Sequence, residues 1–419
     1  MHDHSSKRMS SMSSTMPPEM SGHRLSKGMI FLLAGLAASG TLATNIILPA
    51  FPGMAISLDV SSRDLALTLS SFFVAFAFGQ LLAGPLSDYL GRKWLVLGGL
   101  AVFAVGSILC AVADTLPFLV FGRVIQAFGA CAASVLSRAI ARDLFDGEVL
   151  ARALSLTMIA GAAAPGFSPL LGSALEGLFG WRPVFLLVAV FAVGLALHYV
   201  RSIGETLPVD RRTSLKVSTF ATAYGGLIIN PRFLFPAVSV SLILGGLYTF
   251  FAAAPSILLV ELGLSPVELG LTFAATVLIV FVAGFLAPRL AHRWGQRLVG
   301  MIGLLIALIG SLSMFVFAAA PTFVSFTFSI AVYLLGMGLI NPLGTAIALH
   351  PFGRQAGLAS ALLGFLQMSC AAIGASFASI LPFPPLSSLA LVLSIASGAA
   401  ILAFIPVALS RRFKELSCP

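Results

Sequence analysis

Long apolar stretches that carry no charge recur along the whole chain, and they restrict its fold more than any other feature. A helix needs about 20 mostly apolar residues to cross a bilayer, where it satisfies its own backbone hydrogen bonds. Two of the stretches are long enough for two helices each, so the sequence predicts twelve membrane-spanning helices. The uncharged intervals run 28–58, 65–87, 94–113, 115–122 continued by 124–137, 153–175, 183–197, 233–260, 269–288, 298–349 and 355–410.

The composition excludes a water-soluble protein. The chain is 58% hydrophobic and 9% charged, whereas soluble domains average about 25% charged residues. Apolar and polar residues do not alternate within the intervals, so the strands of an outer-membrane barrel are not indicated. The predicted fold class is therefore an all-α integral membrane protein.

No sequence pattern points to an enzyme. The chain has neither a G-x-x-x-x-G-K-[ST] phosphate loop nor an H-E-x-x-H metal motif. Its four cysteines show no paired spacing. Residues 2–23 are rich in His and Met, a composition that favours a disordered tail over a site for a soft metal. We expect no cofactor, no bound metal and no nucleic-acid partner.

The placement of the basic residues indicates the orientation of the chain. If the N-terminus is cytoplasmic, every Lys and Arg except Arg63, Arg182 and Arg123 falls on the cytoplasmic side. Such asymmetry sets membrane orientation, so the net charge of +9 is a topology signal. We expect a bacterial inner-membrane protein with both termini in the cytoplasm.

The chain divides into six predicted spans and six more. The sequence "DYLGRK" at 88–93 is echoed by "HRWGQR" at 292–297, each in the loop after the second span of its half. Related halves are common in secondary transporters. The predicted organisation is a disordered cytoplasmic tail at 1–27, a six-helix half at 28–200, a cytoplasmic linker at 201–232, a second half at 233–410 and a cytoplasmic tail at 411–419.

The loop after span 2, "GQLLAGPLSDYLGRK", has the most specific pattern in the chain. A basic stop-transfer loop would explain Arg92 and Lys93, but not Gly84, Asp88 and Gly91 at their fixed offsets. Glycines permit close helix approach, and the charged residues cluster on the cytoplasmic side. The pattern predicts a structured, functional turn.

This loop resembles the signature loop between spans 2 and 3 of the major facilitator superfamily. Four further stretches resemble motifs of the drug:proton antiporters of that superfamily, in order and at the matching spans. The match is to the twelve-span bicyclomycin and chloramphenicol/florfenicol resistance branch. The stretches are "LPAFPGMA" at 48–55, "GRVIQAFGACAASVLSRAIARDLF" at 122–145, "GAAAPGFSPLLGSAL" at 161–175 and "GLASALLGFLQMSCAAIG" at 357–374.

The resemblance implies the major facilitator fold, with two pseudo-symmetric six-helix halves, and a secondary active transporter that works by alternating access. It implies a gating motif in which the loop acts together with Arg138 and Arg142 of span 4. Asp88 is expected to lie near one of these arginines and near the start of span 11, around 355–358. In antiporters of this kind the arginine that matches Arg123 is implicated in proton coupling.

The span-5 stretch is similar to the motif that marks exporters, and its motif residues are Gly161, Pro165, Pro169 and Gly172. Prolines bend a helix and glycines admit a neighbouring backbone. Such a helix can form a seal on which the two halves rock. Ordinary small-residue packing would use the same residues equally well.

The chain departs from its family in one respect. Every acidic residue lies in a tail, a loop or a span end, and Asn45 stands where relatives often carry the acid that transfers protons. Three explanations stay open. Glu176 or Asp114 takes that role, Arg123 couples through its hydrogen-bond partners, or transport is not coupled to protons.

Polar or amphipathic side chains at mid-span are candidates for the substrate cavity, although such groups also bridge helices. A cavity that holds Arg123 and no carboxylate disfavours cations. The expected partners are the lipid bilayer, protons and a neutral or weakly acidic amphiphilic substrate, and the expected state is a monomer. The cavity candidates are Asn45, Gln126, Tyr248, Asn341 and Gln367.

Two other functions stay open. Within transport, the chain could be an importer or uniporter for a small metabolite without proton coupling. Outside transport, it could be a membrane sensor or scaffold, which the gating loop and the lack of a soluble output domain disfavour.

Overall fold

Twelve helical segments long and apolar enough to cross a membrane are present in the computed structural model, which describes residues 25–212 and 217–409. The predicted all-α membrane fold is therefore confirmed, while nearly all of the two predicted tails lies outside the described residues. Spans 1 to 12 are Lys27–Leu58, Ala66–Leu90, Arg92–Ala111, Leu116–Leu144, Gly147–Phe179, Arg182–Ser202, Pro231–Glu261, Pro266–Trp294, Gln296–Phe317, Phe323–Gly353, Ala356–Ile380 and Pro385–Leu409.

Span 1 is interrupted in its second half. Its first α-helix, Lys27–Asn45, is followed by a 3₁₀ turn at Leu48–Ala50 and a short helix at Phe51–Leu58. Pro49 and Pro52 lie in the first turns of these short helices, where the missing N–H of proline costs nothing. The interruption therefore follows directly from the two prolines.

The two halves repeat their turn after the second span. Gly91 ends span 2 at φ +96°, and Gly295 ends span 8 at φ +84°. A positive φ of this kind is open to glycine and strained for other residues. The two turns thus share one backbone conformation at the positions of the sequence echo.

Each half also contains a very close helix pair at a matching place. A side chain added at Gly106 of span 3 would collide with the backbone of Gln126 in span 4. At the matching place in the second half, one added at Gly310 of span 9 would collide with the backbone of Tyr333 in span 10. The glycines let these helices approach until their backbones touch.

The predicted linker is not a simple loop. It contains a helix, Val217–Ile229, which packs against both halves. The hydroxyl of Tyr224 donates to the backbone oxygen of Leu81 in span 2 at 3.1 Å, and Leu227 packs in a cluster with Leu362 of span 11. Burial raises the pKa of Tyr224 to about 12, which keeps its hydroxyl protonated well above neutral pH.

The halves touch at one end of the bundle and separate at the other. We call the end that carries Gly91, the linker helix and Gly295 the linker face, and the opposite end the Arg63 face. At the Arg63 face, Arg63 donates to the backbone oxygens of Leu381 at 3.1 Å and Phe383 at 2.6 Å. From mid-bundle to the linker face, residues of both halves line open space.

Candidate substrate cavity and gating network

A central cavity of about 420 Å³ lies between the two halves. Its wall combines aromatic rings with neutral polar side chains, and both halves contribute to each kind. Such a mixture suits an amphiphilic small molecule. The aromatic residues are Phe72, Phe73, Phe76, Tyr248 and Phe251, the neutral polar ones include Thr41, Gln80, Asn341 and Gln367, and Arg138 adds one positive charge.

Three of the five predicted cavity residues line this cavity, and all three belong to the second half. They are Tyr248 of span 7, Asn341 of span 10 and Gln367 of span 11. The carbonyl oxygen of Asn341 is buried without a hydrogen-bond partner among the described residues. It is therefore able to accept a hydrogen bond from a ligand.

Asn45 and Gln126 do not line the cavity, and for these two the expectation is corrected. Both side chains are fully buried between helices. The amide of Asn45 donates to the backbone oxygen of Thr41 at 2.8 Å in its own helix. The amide of Gln126 donates to Ser107 of span 3 at 2.8 Å. The Asn45 amide is thus satisfied within its own helix and the Gln126 amide by a neighbouring helix, where lipid could not accept these hydrogen bonds.

Arg123 is fully buried and lies behind the cavity wall. Its guanidinium donates to the backbone oxygens of Ala43 in span 1 at 3.0 Å and Thr68 in span 2 at 3.3 Å, and to the side-chain oxygen of Gln126. Phe72 lies over it, with 4.4 Å from the guanidinium carbon to the ring centre, and lines the cavity itself. The ring therefore separates Arg123 from the cavity, contrary to our expectation that Arg123 faces it.

Two residues of the predicted gating motif, Asp88 and Arg92, form an ion-pair network with Asp143. The guanidinium of Arg92 lies 2.6 Å from Asp88 and 3.0 Å from Asp143 of span 4, and it also donates to Ser87. Asp143 in addition accepts a hydrogen bond from Thr206 of the linker at 3.1 Å. Arg92 therefore holds span 4 and the loop together at the linker face.

Asp88 has a different partner from the ones predicted. Among the described residues its ion pair is with Arg92, and not with Arg138 or Arg142. Those arginines and the start of span 11 line, with Asp88, a vestibule of about 680 Å³ at the linker face. Because this gap separates the halves, the expected contact of Asp88 with residues 355–358 is not formed in this conformation.

Glu205 of the linker was not predicted as part of the gating motif, yet it binds two residues of that motif. Its carboxylate accepts hydrogen bonds from the backbone N–H of Arg92 at 2.8 Å and of Lys93 at 3.3 Å, and Arg212 lies 3.5 Å from it. A side chain at Gly91 would collide with this carboxylate. Gly84, by contrast, has open space beside it.

The span-5 motif connects span 1 with the second half. The backbone oxygen of Gly161 accepts from Thr41 at 3.2 Å, and a side chain at Gly172 would collide with the backbone oxygen of Ile46. Pro165 lines the cavity, and Pro169 is buried. Between these motif residues, span 5 packs against span 8 of the other half.

The outer acids considered as proton carriers do not reach the cavity. Asp114 is paired with Arg182 at 2.7 Å on the Arg63 face. Glu176 lies beside Gly53 of span 1. No Asp or Glu occurs among the described residues that line the central cavity.

The fold and this cavity define a helical membrane transporter built from two six-span halves. The chain belongs to the Major Facilitator Superfamily, whose family model matches residues 32–375. It is 30% identical over 343 residues to the uncharacterized MFS-type transporter YdgK of Bacillus subtilis, covering 81% of this chain and 85% of that protein. The chain is therefore a multi-pass inner-membrane transporter and not an enzyme.

Two further bacterial relatives are named for resistance. The chain is 26% identical to Multidrug resistance protein D of Escherichia coli, over 91% of this chain and 95% of that protein. It is also 26% identical to a bicyclomycin resistance protein homolog of Haemophilus influenzae, over 82% and 87%. These relatives confirm the predicted drug-resistance branch of the superfamily.

Solved structures show the same fold at lower identity. A mutant of the nucleoside transporter NupG superposes with a TM-score of 0.69 at 16% identity, covering 93% of this chain and 99% of that one. A D-xylose-proton symporter superposes with a TM-score of 0.67 at 17% identity, covering 90% and 96%.

Proposed function

We propose that the protein exports drugs or small amphiphilic metabolites, neutral or weakly acidic, by alternating access. The observation that carries the proposal is the central cavity, which both halves line and which the halves close at the Arg63 face alone. A site at the interface of two halves becomes accessible to either side when the halves rock about it. The resistance-named relatives support export as the direction.

The linker face is proposed to be the cytoplasmic side. Excess Lys and Arg at this face, by the positive-inside rule, support that orientation. Both ends of the described chain, near Ser26 and Leu409, lie at the same face. The structure then corresponds to the inward-open state, in which a substrate enters from the cytoplasm through the vestibule.

Within this cycle the Arg92 network is the proposed gate at the linker face. In the inward-open conformation Asp88 is paired with Arg92, and the vestibule keeps it from span 11. Closure of that gap brings Asp88 to the N-terminus of span 11, whose partial positive charge favours an anion. Arg138 and Arg142 approach the same region from span 4.

Proton antiport is proposed to proceed through the Arg123 network and not through a cavity acid. Arg123 connects spans 1 and 2 through their backbone oxygens, so a change in its hydrogen bonds can be transmitted to both helices. The second candidate is an importer or uniporter without proton coupling. The lack of any acid among the described cavity residues favours that candidate.

A flux assay in proteoliposomes tests the function and the coupling together. The substrate is radiolabelled chloramphenicol, with and without an imposed pH gradient, and the variants are wild type, Asn45→Asp and Arg123→Ala. The exposed Arg232→Ala serves as the control for loss of an arginine. Flux driven by the gradient in wild type and in the control, but lost in Arg123→Ala, is the expected result.

Two outcomes would change the proposal. If flux does not depend on the pH gradient in wild type and depends on it only in Asn45→Asp, the candidate without proton coupling is favoured. Strong export of ethidium, a lipophilic cation, would contradict the proposed substrate class, because no carboxylate among the described cavity residues offsets its desolvation.

A further inference from the structure

One charged side chain stands in the cavity wall without a role in the network described above. Arg138 of span 4 is the only charged residue among the described residues that line the central cavity. It also lines the vestibule, so it lies at the boundary between the two spaces. Its side chain is exposed to them.

The guanidinium of Arg138 has no hydrogen-bond or ion-pair partner among the residues that the structure describes. None of the ion pairs among the described residues includes Arg138, and none of their hydrogen bonds uses its side chain as a donor. The acids of the vestibule, Asp88 and Asp143, are both engaged by Arg92. Arg142, one helical turn away, adds a second positive charge to the vestibule wall.

The contrast with Arg123 indicates what Arg138 is for. Arg123 directs its Nε and Nη1 to backbone oxygens and Gln126 and thereby connects helices, while its Nη2 is buried without a partner among the described residues. Arg138 presents its planar set of donors to the open cavity. A cation held unpaired within a membrane protein is costly, and a carboxylate can compensate it with two parallel, charge-assisted hydrogen bonds.

The rest of the cavity specifies the body of such a ligand. Tyr248 and Phe251 offer aromatic surface deeper in the cavity, and the partnerless oxygen of Asn341 can accept from one donor group. The cavity volume of about 420 Å³ lies within the range of small-molecule sites. An anion bound at Arg138 would direct its carboxylate toward the linker face and its apolar part inward.

We propose that Arg138 is the substrate anchor of the cavity and that the preferred substrates are amphiphilic aromatic monocarboxylates. This rests on the proposed transport function and narrows its substrate class from neutral or weakly acidic compounds to organic anions. Arg138 thereby determines specificity by charge, in addition to any movement it makes with the gate.

Equilibrium dialysis of the purified full chain in a neutral detergent at pH 7 tests the anchor without requiring flux. The probes are 4-(1-naphthyl)butyrate and its primary amide, which differ in charge and little in size. The variants are Arg138→Gln and Arg138→Lys, with Arg152→Gln, an exposed arginine of span 5, as the matched control. Size-exclusion chromatography confirms that each variant is folded.

Wild type and Arg152→Gln are expected to bind the carboxylate about tenfold or more tightly than the amide, as one charge-assisted pair allows. Arg138→Gln is expected to lose this preference while its affinity for the amide changes less than about twofold, and Arg138→Lys to keep part of it. If Arg138 served the gate alone, flux of both probes would fall while the preference stayed.

A preference retained in Arg138→Gln would contradict the anchor. The anchor would also be contradicted if wild-type protein bound the carboxylate no better than the amide, or bound neither probe. This second test does not depend on the folding of any variant. A charge preference in dialysis without export in proteoliposomes would overturn the proposed function and leave the anchor standing.

Discussion

The backbone N–H of Arg92 donates a 2.8 Å hydrogen bond to the carboxylate of Glu205. A residue of the linker thus caps span 3, whose own N-cap, Gly91, has no side chain to do so. An anion at this position also interacts favourably with the helix dipole. The linker is therefore joined to the Arg92 network that we propose as the gate.

Removal of the Glu205 cap is expected to destabilise the protein. Glu205→Ala leaves the first N–H groups of span 3 without their acceptor, and loss of a cap costs about 1 kcal/mol. The thermal transition in detergent should fall relative to wild type, whereas Asp210→Ala, an exposed carboxylate of the same linker, should leave it unchanged. Equal transitions for the two variants would show that the cap contributes nothing.

Asp88→Asn is expected to lower transport while membrane insertion stays normal. The change weakens the 2.6 Å pair with Arg92 and removes the charge proposed to meet span 11 on closure, but Arg92 keeps its pair with Asp143. Flux per inserted molecule is the measurement, and the exposed Asp146→Asn is the control. Normal transport by the Asp88 variant would remove Asp88 from the gate.

Two glycines of span 5 provide a matched pair. Gly172→Ala places a methyl group against the backbone oxygen of Ile46, whereas Gly177→Ala meets open space. Overpacking costs about 1–3 kcal/mol, and alanine at an unobstructed helix site gains up to about 1 kcal/mol. In denaturant titrations, the unfolding midpoint should therefore fall in Gly172→Ala and rise in Gly177→Ala. A stabilised Gly172→Ala would disprove the close contact with span 1.

Arg63→Gln is expected to favour opening at the Arg63 face. It removes the guanidinium that donates to Leu381 and Phe383 of the second half. A loss of about 1 kcal/mol changes the ratio of two conformations about fivefold. Distances between spin labels at the exposed Ile56 and Ile380, in a chain without its native cysteines, should lengthen. Arg182→Gln, which affects contacts within one half, should leave the distances between the spin labels unchanged.

Arg123→Lys is expected to loosen the packing of the first half. A compact ammonium does not reproduce the planar fork that reaches Ala43, Thr68 and Gln126. Hydrogen bonds between membrane helices contribute about 0.6 kcal/mol each, so the loss of two lowers the free energy of unfolding by about 1 kcal/mol. The surface variant Arg232→Lys should have the free energy of unfolding of wild type. An unchanged free energy of unfolding in Arg123→Lys would mean that the planar geometry of the guanidinium contributes nothing to stability.

Much of the architecture was accessible from the sequence. The twelve spans and the all-α class follow from the cost of placing charges in lipid, which depends on consecutive residues. The turn at Gly91 and its counterpart at Gly295 follow from the need for a positive φ, which is also a local property. The motif order that indicated the superfamily is likewise a linear feature.

The cavity, in contrast, depended on how each helix is rotated about its own axis. Tyr248 faces the cavity and Asn45 does not, although both are polar or amphipathic groups at mid-span. A membrane helix that is apolar all round carries little periodic signal of the face it turns inward. That face is chosen by packing against helices distant in sequence, such as span 5 against span 8.

Arg123 and Arg138 of span 4 show most clearly which properties follow from the sequence and which depend on the tertiary structure. The sequence by itself placed Arg123 within a span, because the intervals on either side are uncharged, and it placed Arg138 near the end of that span. The tertiary structure alone decided that Phe72 covers Arg123 and that Arg138 lies open to the cavity. Burial of a charge is settled by the partners that surrounding helices bring to it, and linear spacing does not contain that information.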